Sequence, residues 1–146
     1  MANRLNMAKT QPTAYHALLG LEKYLETTQI SKSQKDLIKI RASQINGCAF
    51  CINMHTKEAR SHGETEQRIY LLNAWREVDN LFSEEEKAIL ALTEEVTHIS
   101  AHGVSDTVYQ KAQALLGDVA LAQVLMVIIA INAWNRMSIS LQTQPE

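Results

Sequence analysis

The chain has 146 residues, 46% of them apolar and 21% charged, with a formal net charge of −2. This is the composition of one water-soluble globular domain, residues 1–146, with enough apolar material to build a core without disulfide staples or a structural metal. The near-neutral balance, with no basic cluster, argues against nucleic acid or an anionic membrane surface as the main partner.

Both prolines lie near the ends, so the interior has few helix breakers, and no alternating apolar run bounded by turn residues points to a strand. The expected fold class is all-α, a single-domain bundle of about six or seven helices. Met1 to Thr10 carries Arg4 and Lys9 but no apolar stretch of the secretory kind. A first helix is expected from Pro12, a good first-turn residue, to about Thr27. A second runs from about Ser33 to Gln44 and is broken by Asn46–Gly47. A third starts near Cys48 and stops around Ser61, with Gly63 as terminator. A fourth covers Thr65 to Arg76. Ser83 and Glu86 form a capping box that opens a fifth, through about Ile99. Ser105 can cap a sixth, ending near Gly117, and Asp118 a last one, to about Ser140. Within that last helix Val124 to Ile131 is apolar on every face, so the core and a neighbouring subunit are expected to cover it. The longer run Val119–Ile131, interrupted at Gln123, is shorter than the roughly 20 residues of a bilayer span. The expected location is the cytoplasm.

The two cysteines, Cys48 and Cys51, are separated by two residues. In a cytosolic chain a structural disulfide framework is not expected, and this spacing points to redox or metal chemistry. On a helix beginning at Cys48, the positions i, i+3 and i+7 put Cys48, Cys51 and His55 on one face. A free thiol with a pKa of about 8.5 is mostly protonated at neutral pH. Unpaired N–H groups at a helix start favour the thiolate, and His55 stands one turn beyond Cys51, where it can take or return a proton. A second thiol at Cys48 can close a disulfide with an oxidised Cys51 and so prevent over-oxidation. Zinc is the rival chemistry; it needs a fourth ligand from His62, His98, His102 or an acid.

The segment Arg41–Ala42–Ser43–Gln44–Ile45–Asn46–Gly47–Cys48–Ala49–Phe50–Cys51–Ile52–Asn53–Met54–His55 closely resembles the core motif of the alkyl hydroperoxidase D family, within the carboxymuconolactone decarboxylase-like superfamily. Gly63–Glu64 and Ile131–Asn132–Ala133–Trp134–Asn135–Arg136 are also similar to members, and the likeness spans residues 14 to 140. The resemblance implies an all-helical homo-oligomer, trimer or hexamer, that reduces hydroperoxides with thiols and uses no metal and no organic cofactor. It implies that Cys51 attacks the peroxide, that Cys48 resolves the sulfenic acid and that His55 belongs to a proton relay. It further implies that an external dithiol, such as a lipoyl-bearing protein, reduces the oxidised pair. The relay glutamate, twelve residues before the first cysteine, corresponds here to Asp36, one methylene shorter. Phe50 stands where some members carry a second histidine. Glu64 reads as a helix-start acid and Arg136 as a structural pairing residue. The tyrosines are scattered, with no aromatic platform among them. The function expected is therefore a cysteine-based peroxidase in antioxidant defence. The alternatives are a non-catalytic redox-sensing or assembly module and, against the CxxC pair, a carboxymuconolactone decarboxylase-type enzyme.

Overall fold

The computed structural model describes residues 3–146. Among them are eight α-helices and no strand: α1 Met7–Thr10, α2 Pro12–Glu26, α3 Lys32–Asn46, α4 Ala49–Ser61, α5 Glu66–Leu71, α6 Glu84–Thr97, α7 Ile99–His102 and α8 Asp106–Ser140. The all-α expectation holds, and the CxxC pair lies at the start of a helix.

The start signals act as their chemistry requires. Ser83 and Glu86 make a reciprocal capping box on α6, and Ser31 with Gln34 makes a second on α3. Gly47 ends α3 in the left-handed region at φ 72°, which a side chain would strain.

Other elements depart from the sequence pattern. The helix expected over Thr65–Arg76 is α-helical only to Leu71 and then tightens into a 3-10 turn, Leu72–Glu77. Leu72 and Trp75 are both buried there, and three residues per turn bring an i, i+3 pair onto one line. The fifth helix stops at Thr97 rather than Ile99, because His98 leaves the helical region and Ile99 is exposed at the head of the short α7. The two expected C-terminal helices are both present, parted within α8 where Gly117 leaves the helical region at φ 76° and ψ 166°. The carboxylate of Asp118 accepts from Gln113 Nε2. By length and hydropathy α8 is long enough to cross a bilayer, unlike the shorter run considered from sequence. Its place in the fold is that of a core helix. Leu121, Val124, Val127, Ile128 and Ile131 are buried on its inner face, packed with Ile38 of α3 and Ile89 and Leu92 of α6.

The core thus lies between α3, α6 and α8, which pack on one another, while α4 packs on α3 and α8 and α2 rests on α8. A second apolar cluster joins Leu37, Ile40, Ala59, Leu72, Trp75, Phe82 and Leu90 beneath the 3-10 turn. The outer face of α8 stays uncovered: Ile129 is 48% exposed and Val119 64%.

One polar seam crosses the core and sets the position of the site. Asn135, fully buried, donates to Ser43 Oγ, and Asn46 Nδ2 donates to the side-chain oxygens of both Asn132 and Asn135. Asn132 in turn donates to Thr97 Oγ1. A buried amide left unpaired costs about 1–3 kcal/mol, so this network specifies how the last turn of α3 meets α8. That turn leads directly into Cys48.

Candidate active site

After Gly47 the chain becomes extended at Cys48, whose N–H bonds to Ser43 O, and α4 begins at Ala49. Cys48 is therefore the N-cap, and its sulfur occupies the place of the usual capping oxygen, accepting from Cys51 N–H at 3.3 Å. The sequence reading had the helix starting on Cys48 itself. With Cys48 outside the first turn, the helix N–H falls to its sulfur rather than to that of Cys51. The two cysteines are joined in a disulfide, with Cα atoms 5.3 Å apart, and each residue is only 1% exposed.

Cys51 and His55, one turn apart, line a cavity of about 260 Å³ between α2, α4 and α8. Its lining combines apolar side chains, Leu19, Phe50, Met54 and Trp134, with the charged Glu22, Lys39 and Glu58. Glu22 organises that lining: it accepts from Trp134 Nε1 at 3.1 Å and pairs with Lys39 Nζ at 3.0 Å. Tyr15 stacks edge-on against Trp134, with ring centroids 5.5 Å apart. Tyr15 and Trp134 thus make an aromatic wall that the scattered tyrosines did not suggest.

His55 is buried, and its Nδ1 lies 2.8 Å from Glu58 Oε2. Burial lowers its pKa below the usual histidine range, against the raising influence of the Glu58 hydrogen bond. The ring is neutral near pH 7. With the Glu58 side-chain oxygen on Nδ1, the proton belongs on Nδ1 and the lone pair on Nε2, the arrangement of a general base held by a carboxylate.

Asp36 is also buried, but its carboxylate is bonded to His62 Nδ1 at 2.7 Å and lines an adjacent cavity of about 230 Å³. Burial raises its pKa, the His62 interaction opposing, and the negative charge of Glu58 adds to the rise. The structure therefore brings together Cys48, Cys51 and His55, and places Asp36 one cavity away. Glu58 and Lys39 line both cavities. The sequence carried a signal for Glu58: it lies seven residues after Cys51 and three after His55, on the same helical stripe, with His62 one turn further. Glu22, Lys39 and Tyr15 had no such signal, because they reach the site only through tertiary packing.

The remaining candidates are structural. Glu64 is buried and accepts from Thr65 N–H, Arg68 Nε and Ser33 Oγ. Arg136 donates to Asn132 O and Oδ1 within its own helix. Among the described residues no three His, Cys, Asp or Glu side chains are grouped to hold a metal ion.

Residues 12–95 match the model of the carboxymuconolactone decarboxylase family. The chain is 43% identical to the uncharacterised protein YdfG of Bacillus subtilis (strain 168) over 141 residues, 97% of this chain and 95% of that one. Its fold superposes with a TM-score of 0.94 on a protein of unknown function from Agrobacterium tumefaciens, 38% identical and 99% covered in both directions. That protein is described, provisionally, as the antioxidant defence protein AhpD. The debrominase Bmp8, solved with 2,3,4-tribromopyrrole, shares the fold at a TM-score of 0.84 and 18% identity, over 94% of this chain and 73% of that one. With its helical architecture, its CxxC at a helix start and these matches, the chain belongs to the carboxymuconolactone decarboxylase family and is AhpD-like within it.

Proposed function

We propose that the protein is a thiol-dependent hydroperoxide reductase acting in cytoplasmic antioxidant defence. The observation that carries this reading is the cavity shared by Cys51 and a neutral, carboxylate-held His55, with a second sulfur already within bonding reach. In the reduced protein His55 Nε2 takes the Cys51 proton, and the thiolate attacks the terminal oxygen of the hydroperoxide. The O–O bond breaks, the alkoxide takes the proton from His55 and leaves as an alcohol, and Cys51 becomes a sulfenic acid. The Cys48 thiol then ionises, and its thiolate, stabilised by the Cys51 N–H, attacks that sulfur; the sulfenic oxygen takes up the proton released by Cys48 and leaves as water, and the disulfide forms. An external dithiol then returns two electrons to the pair. Glu58 orients His55, and Asp36 with His62 forms the outer end of the same proton relay.

A second copy of the chain is proposed to cover the α8 stripe of Val119, Ala122, Met126 and Ile129, whose 3–4 spacing is that of a helix-pairing seam.

The test follows consumption of cumene hydroperoxide with excess dithiothreitol, comparing wild type with Cys51→Ser. Wild type is expected to turn over steadily and the variant to stay at background. Equal rates would refute the scheme, whereas a single oxidation without further turnover would make the pair a redox sensor.

A further inference from the structure

The two cysteines of the disulfide line different cavities. Cys51 lines the aromatic cavity with His55, and Cys48 does not. Cys48 instead lines a separate, more open cavity of about 200 Å³ on the far side of the α4 start, formed with Gly47, Ala49, Ile139, Gln142 and Thr143. Phe50 and Ser138 line both. We propose that the peroxide and the reductant use different doors: hydroperoxide reaches Cys51 through the first cavity, and a dithiol reaches Cys48 through the second. This rests on the peroxidase reading above and adds to it the site where the reducing partner acts.

The chemistry of each sulfur suits its door. A reductant thiolate entering by the second cavity attacks Cys48 Sγ. The Cys48–Cys51 bond breaks, a mixed disulfide forms on Cys48, and Cys51 leaves as a thiolate beside His55, which supplies a proton when it carries one. The second reductant thiol then attacks the reductant sulfur of the mixed disulfide. Cys48 leaves as a thiolate onto the Cys51 N–H that it caps, and the dithiol departs as a cyclic disulfide. Two electrons pass to the protein, and the two thiol protons of the reductant are accounted for on the cysteines or in solvent. Attack at Cys51 through the first door would instead bring the reductant into the pocket needed by the peroxide. The C-terminal segment borders the second door and is held over α4 by Asn53 Nδ2 and Lys57 Nζ, both donating to Glu146 O.

The two half-reactions are measured separately. Protein oxidised with diamide is mixed with dithiothreitol, and reduced protein with cumene hydroperoxide; free thiols are counted after alkylation quench. Ala49→Trp and Ile139→Trp obstruct the second door from opposite walls, and Met54→Trp obstructs the first. Both residues facing the second door are exposed or partly so, which keeps the substitutions off the core. The expected result is at least a tenfold slower reduction in both second-door variants with oxidation changed less than about twofold, and the reverse in Met54→Trp. The proposal is overturned if the second-door variants reduce at the wild-type rate, or if they slow oxidation as much as reduction. Should wild type fail to react with peroxide, the peroxidase reading falls, while the reduction arm still decides whether dithiols enter beside Cys48.

Discussion

Glu58 is the carboxylate that the structure sets against His55, and its removal gives the most direct test of the base. Its carboxylate holds His55 Nδ1 at 2.8 Å, but its side chain is 47% exposed. A hydrogen bond to a charged group contributes about 1.5–3 kcal/mol when shielded; solvent screening at this exposure reduces it to about 1 kcal/mol. Loss of about 1 kcal/mol from the transition state is about a fivefold fall in rate. Glu58→Ala should therefore oxidise about five times more slowly than wild type, and Glu58→Gln, whose side-chain carbonyl still accepts from Nδ1–H, only about twofold more slowly. His55→Ala, which removes the base itself, should lose about a hundredfold or more.

The assay is single-turnover oxidation of the reduced protein by hydroperoxide across pH, which involves no reductant. The rate should fall in acid as His55 becomes protonated, with the midpoint below the ordinary histidine value because burial lowers its pKa. Glu58 and Glu22 raise that pKa and Lys39 lowers it. Removing the Glu58 charge should thus move the acid limb further down in pH. The reasoning is refuted if Glu58→Ala oxidises at the wild-type rate with an unmoved acid limb, or if Asp36→Asn has the larger effect. In the second case the proton passes through the residue that the family pattern names.

The same groups set the pH dependence of stability. Asp36 has a folded pKa raised above its unfolded value, so its favourable contribution is complete below the unfolded pKa and is lost as pH rises through the folded one. Asp36→Asn cannot ionise, and urea unfolding should show its stability improving relative to wild type as pH rises from the ordinary carboxylate value through the raised Asp36 one; a difference that is constant or falling with pH would contradict the burial argument. For the α8 stripe, light scattering after size exclusion should show wild type as an oligomer and Ile129→Asp as a smaller particle, since a charge on this half-exposed seam position opposes helix pairing. A monomeric wild type would remove the proposed subunit contact.

Much of the fold was legible because it is local. Ser83 with Glu86, Pro12, Gly47 and Gly117 each act within a few residues of themselves, through a cap, a fixed φ or a positive φ. The boundaries that moved were decided by packing. Nothing in Leu72–Glu77 announces a 3-10 turn; the tightening accompanies the burial of Leu72 and Trp75 against Leu37, Ile40 and Leu90. The break at Gly117 was legible as well, because its positive φ parts α8 where one helix was expected to end and the next to begin.

The site divides along the same line. Cys48, Cys51 and His55 were legible together because one helical stripe carries them, and Glu58 belongs to that stripe. Asp36 was placed by its distance along the chain from Cys48. Twelve residues back lies on another helix, α3, where side-chain reach and neighbours decide the partner. The aspartate finds His62, also on the α4 side, and not His55. Meanwhile Glu58, on the same helix as His55, needs no tertiary accuracy to hold it, because an i, i+3 pair is brought together by the helix itself. The nucleophile and its base are thus built into a single helix, and the tertiary fold supplies what a helix cannot: the buried asparagine seam that fixes the turn before Cys48, the aromatic wall of Tyr15 and Trp134, and the low-polarity surroundings that keep His55 neutral. A change in the seam should therefore act on both cysteines at once, whereas a change at Glu58 should act on proton transfer alone.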